Sequence, residues 1–160
     1  MKKKFFIGLF IFAAIGLFIF AHLALRSNNV PEYQPQQNLP APIEIPSTGV
    51  MLYEEAKAID KPMVAMFYVD WCSYCRKYMP VFGELAHLYK DKYSFVAINC
   101  DNPQYKELVN SFHIMAFPSL FVIDEKIGHK FSLNMAATTQ KSIAREELDN
   151  YLKVRKNIVK

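Results

Sequence analysis

Residues 63–75 read MVAMFYVDWCSYC, an apolar run that gives way to two closely spaced cysteines. Met63 to Val69 carry no charge and are rich in β-branched and aromatic side chains, the composition of a strand buried on both faces. Asp70 ends the run, and a helix is predicted after the cysteines to about Tyr89. A thiol at that junction faces the unpaired N–H groups and positive end of the helix, which favour its thiolate. Two intervening residues, Ser73 and Tyr74, bring the second sulfur within a helical turn of the first. Cys72 is therefore the candidate exposed nucleophile, and Cys75 the shielded thiol that resolves a mixed disulfide.

Spacing alone leaves other chemistry open. A zinc site needs about four ligands, and the only further cysteine is Cys100, so no second C-x-x-C completes a set. A purely structural disulfide also fits, although a two-residue loop constrains the unfolded chain little.

Strand and helix signals alternate on both sides of the run, which predicts an α/β domain with helices covering a central mixed sheet. Ile43-Glu44-Ile45 alternates like a first edge strand, and Ser47 or Thr48 is placed to cap a helix reaching Ile59. Beyond Tyr89, residues 93–99 (YSFVAIN) read as a strand, Pro103 opens a short helix, and residues 120–123 read as another strand. Residues 131–133 are the expected last strand. Ile143, Leu148, Tyr151 and Leu152 recur at helical spacing within residues 139–154.

Over most of residues 48–160 the chain resembles the thioredoxin superfamily. The lead-in Tyr68-Val69-Asp70-Trp71 before Cys72 is similar to that family's W-C-x-x-C context. Pro80, eight residues after Cys72, falls where the family kinks its active-site helix. Ala116-Phe117-Pro118-Ser119 matches the loop carrying the family's cis-proline. The resemblance implies a thioredoxin fold, thiol–disulfide oxidoreductase activity through Cys72 and Cys75 without a cofactor, and a cis Pro118 beside the two sulfurs. Trp71, Phe117 and Pro118 would then help present a substrate disulfide, with Ser73 and Tyr74 tuning the redox poise. Two features depart from the pattern. Met66 replaces a buried aspartate, and Ala97, placed opposite, replaces its lysine partner. Ser73-Tyr74 replaces Gly-Pro. Asp70 reads as an exposed charge.

Ahead of the domain, Lys2, Lys3 and Lys4 precede an uncharged run from Phe5 to Leu25. As a helix it is about 31 Å long, enough to span a bilayer. It exceeds the apolar region of a cleaved signal peptide and ends without a clean A-x-A site, so an uncleaved signal-anchor over residues 1–26 is expected. The three lysines against Arg26 predict a cytoplasmic N-terminus, with the catalytic domain on the periplasmic side of a bacterial inner membrane. His22 reads as an interfacial polar group. Five prolines in residues 27–47 mark a spacer, and residues 48–160 form the expected domain.

The formal charge of +4 shrinks to about +2 over residues 48–160, which hold 15 basic and 13 acidic residues. Without a basic stripe, nucleic acid is not an expected partner. Protein disulfides or thiols are, along with a membrane electron-transfer partner if the chain works as a reductase resembling those of cytochrome c maturation or the C-terminal domain of DsbD. An oxidase or isomerase role is the alternative, as is a copper-carrying module using both thiols and His113. No metal is assigned. His87 and His113 are expected on helices as surface or packing residues. Met51, Met63, Met66, Met79 and Met115 are expected to fill gaps in the core, and Cys100 to be an inert core or strand-end thiol.

Overall fold

Alternation along one strand organises the molecule. In the computed structural model, which describes residues 40–159, β2 (Met63–Tyr68) is buried at every position. Val64, Met66 and Tyr68 point to one core, while Met63, Ala65 and Phe67 point to another. A strand buried on both faces needs helices on both sides. The first core is closed by α2 (Ser73–Tyr89) and α4 (Lys141–Ile158), through Cys75, Met79, Phe82, Ala144 and Leu148 among others. The second is closed by Ala56 of α1 (Tyr53–Lys57) and by the segment around α3 (Lys106–Ser111) that ends at buried Phe112.

The five-stranded sheet has the order β1 (Val50–Met51), β3 (Ser94–Asn99), β2, β4 (Ser119–Asp124), β5 (His129–Ser132). β1 and β2 both run parallel to β3. β4 runs antiparallel to β2, and β5 antiparallel to β4. This is the thioredoxin fold, with its mixed central sheet and flanking helices.

Three expectations change. The predicted helix from Ser47 to Ile59 is divided into a turn, β1 and the short α1. Gly49 is the cause: its φ is +84°, and a Cβ there would lie 3.1 Å from the Ala86 carbonyl carbon, so the chain turns and delivers β-branched Val50 to pair with Phe95. Ile43 to Ile45 belong to no strand, because the Ile43 N–H donates to the Asp70 carboxylate instead. The stretch anticipated as spacer up to residue 47 is, from residue 40 onward, laid against the domain, with Ile43 buried in the first core. The expected membrane helix and residues 27–39 of the spacer lie outside the described residues. Among the described residues no helix is long and apolar enough to cross a membrane.

Candidate active site

β2 ends at Tyr68, and Cys72 occupies the N-cap of α2 with extended backbone angles. Its sulfur accepts the Cys75 N–H at 3.0 Å, so one of the helix's unpaired donors points at the candidate nucleophile. Cys72 and Cys75 are joined as a disulfide, with Cα atoms 5.2 Å apart. Cys75 is wholly buried, whereas Cys72 is 7% exposed and is flanked by exposed Trp71, Ser73 and Tyr74. The first cysteine thus keeps a little solvent contact and the second none.

The Phe117–Pro118 peptide bond is cis, and Pro118 is buried. Phe117 is half-buried at the edge of the first core and meets the Trp71 ring edge to face, centroids 5.9 Å apart. Trp71 in turn donates its indole N–H to Asp101 at 3.1 Å. Trp71 and Phe117, distant in sequence, thus form one aromatic corner of the site. Met115, expected in the core, is 93% exposed on the loop leading to it. Tyr74 is 67% exposed, so the site presents apolar surface that the surrounding protein leaves uncovered.

Met66 and Ala97 are register partners on β2 and β3, so the apolar replacement of an acid–lysine pair occurs at facing positions. Asp70 is not a free surface charge. One carboxylate oxygen accepts the Ile43 N–H at 2.7 Å and the other the Asn99 side-chain amide at 2.8 Å. The Asp70 carbonyl accepts from Arg76 at 2.7 Å. Nothing in the sequence around Asp70 signals this network, because Ile43 and Asn99 lie 27 and 29 residues away. Both positions look like ordinary strand residues.

Cys100 follows β3 and is half-buried; burial, helped by Asp101, pushes its thiol up to about 11. It carries almost no thiolate at neutral pH. His87 lies exposed on α2, whereas His113 sits beyond the end of α3 with φ +50° rather than on a helix. Among the described residues no group of three or more His, Cys, Asp or Glu side chains is disposed to hold a metal ion.

Comparison with known proteins matches residues 50–150 to the thioredoxin family. The chain is 36% identical over 80 residues to the chloroplastic thioredoxin-like protein HCF164 of Arabidopsis thaliana, covering 50% of this chain and 31% of that protein. It is 32% identical over 72 residues to the thiol:disulfide interchange protein TxlA of Synechococcus elongatus, covering 45% of this chain and 38% of the relative. These matches therefore span only about a third of each relative. Among solved structures, a thioredoxin from Thermus thermophilus superimposes with a TM-score of 0.56 at 17% identity, covering 67% of this chain and 88% of that one. A poplar thioredoxin h mutant gives 0.55 at 21% identity, over 71% and 91% of the two chains. At such identity the likeness is one of fold.

Proposed function

This chain belongs to the thioredoxin family, whose members are protein-disulfide oxidoreductases, and we propose that it reduces protein disulfides outside the cytoplasm through Cys72 and Cys75. The observation that carries the reading is the unequal burial of the two disulfide-bonded cysteines at the start of α2, in a fold that also holds the cis Phe117–Pro118 bond. In the reduced protein, the Cys72 thiolate attacks one sulfur of a substrate disulfide, forming a mixed disulfide and releasing the other as a thiolate. The Cys75 thiolate then attacks Cys72, the second substrate sulfur leaves as a thiolate, and the protein is left as the Cys72–Cys75 disulfide. The substrate gains two electrons that a donor dithiol must restore.

The reductase direction draws support from the stretch between Pro80 and Pro118, which holds only the rest of α2, β3, a 3-10 turn and α3, with no large inserted domain. The similarity to TxlA, a thiol:disulfide interchange protein, is consistent with either direction. Location rests on the sequence: an apolar run at residues 5–25 behind three lysines favours one membrane helix, with the domain on the periplasmic side of a bacterial inner membrane. A membrane-borne dithiol is then the natural electron donor. Disulfides of apocytochromes are one substrate class such an arrangement serves.

Replacing Cys75 with Ser removes the resolving thiol. Cys75→Ser should accumulate mixed disulfides through Cys72 in cells, separable by non-reducing electrophoresis and dissolved by dithiothreitol. Absence of any such species while Cys72 remains alkylatable would sink the proposal. The identity of the trapped proteins reads out the compartment.

A further inference from the structure

Residues 40–46 pair with no strand, yet they are fixed to the domain at four points. The Ala41 carbonyl accepts from Arg76 Nη2 at 2.8 Å, and the Ile43 N–H donates to Asp70 Oδ1 at 2.7 Å. The Ile43 side chain is 6% exposed in the first core. Pro46 lies on Gly83 of α2, so closely that a Cβ on Gly83 would come within 2.7 Å of the proline Cγ. Glycine inside a helix is destabilising relative to alanine, and here its missing side chain makes the seat for the segment. A passive spacer would need no such seat.

Both polar attachments grip residues that carry Cys72. Asp70 lies two residues before it, and Arg76 sits in the first turn of α2, where the same Nη2 also donates to the Asp70 carbonyl at 2.7 Å. We propose that residues 40–46 form a strap that positions the Cys72 loop, with Asp70 and Arg76 as its positioning residues, so that strap docking and the nucleophilicity of Cys72 are linked. The inference rests on Cys72 being the attacking thiol.

The sign follows from the charges. Among the described residues, the charged side chains hydrogen-bonded within or to this loop are Asp70, Arg76 and, through Trp71, Asp101. With the strap docked, each Asp70 oxygen receives an N–H, and the Arg76 guanidinium is pinned between two carbonyls at the positive end of α2. Release removes the Ile43 donor and the Ala41 acceptor, leaving the carboxylate less compensated and the guanidinium free to move away. Both changes disfavour the Cys72 thiolate. Asp101 stays with Trp71 in either state.

Two substitutions in the full chain loosen the strap without altering any charge or the loop itself. Gly83→Ala drives a methyl into Pro46, and Ile43→Ala removes the buried anchor. Limited proteolysis across residues 40–48 reports release. For the released strap, alkylation of Cys72 by iodoacetamide in the reduced protein should slow about threefold at neutral pH. The reduction potential against glutathione should become more negative, by about 14 mV where the reduced form as a whole loses a factor of three in a two-electron couple. Arg76→Met should slow alkylation similarly, and adding Gly83→Ala should change little more, because both act through one docking event. Arg76→Lys, which keeps the cation, should restore the rate. A released strap with unchanged alkylation and potential overturns the proposal, as does a strap that neither Gly83→Ala nor Ile43→Ala releases. Failure of Cys72 to alkylate in reduced wild-type protein would instead strike the function assigned to it.

Discussion

Asp124, at the end of β4, is 1% exposed and accepts hydrogen bonds from the Tyr151 hydroxyl at 2.8 Å and from the Arg155 Nε. Burial alone would push its carboxyl up, but the Arg155 and Tyr151 hydrogen bonds outweigh that and hold it below the usual range. A depressed folded value means that the contribution to stability is complete above the unfolded carboxylate range near pH 3.9 and is lost as pH falls through the lower folded value. Arg155→Met leaves the acid buried with the Tyr151 hydroxyl and the Lys126 backbone N–H but without its cation. Because Arg155 is itself partly exposed, the expected cost is about 2 kcal/mol rather than the larger figure for a fully buried pair. Burial then raises the carboxyl, so the acid dependence reverses, and the deficit against wild type should narrow between pH 7 and pH 4. Urea unfolding at the two pH values measures both effects.

At the scale of elements, the most legible features were those whose cause is local. The β2 run, the helix after the cysteines and the strand at residues 94–99 follow from composition and period, and the structure bounds them close to the sequence expectation. The facing of Met66 and Ala97 likewise follows from strand register. That register makes a test: Met66→Asp should cost about 3 kcal/mol or more by burying one unpaired charge, and adding Ala97→Lys should recover part of it in a chemical-denaturation cycle. Independence of the two substitutions would mean that the side chains do not meet. What stayed hidden depended on distant partners. Val50 becomes a strand only because β3 lies beside it, and nothing near Asp70 announces the Ile43 N–H or the Asn99 amide. Within the site, Cys72, Cys75 and Pro118 were readable as spacing and motif. The Trp71–Phe117 contact and the exposure of Met115 required the fold.

For the molecule as a whole, the working boundary of the domain falls near residue 40 rather than at 48. A chain beginning at residue 40 should unfold cooperatively, whereas one beginning at residue 48 loses the Ile43 side chain from the core and two hydrogen bonds from the active-site loop. Burial of the isoleucine contributes about 2 kcal/mol, and the two bonds about 1 kcal/mol more in total. Equilibrium unfolding of the two chains should therefore differ by about 3 kcal/mol, and equal stability would show that the segment adds nothing. Its attachment points also define a load path. Tension on the chain ahead of residue 40 meets Ala41–Arg76 and Ile43–Asp70 before any sheet hydrogen bond. Pulling on that end would peel the contacts one at a time and yield first beside the cysteines, while the parallel pairing of β1, β3 and β2 still bore no force.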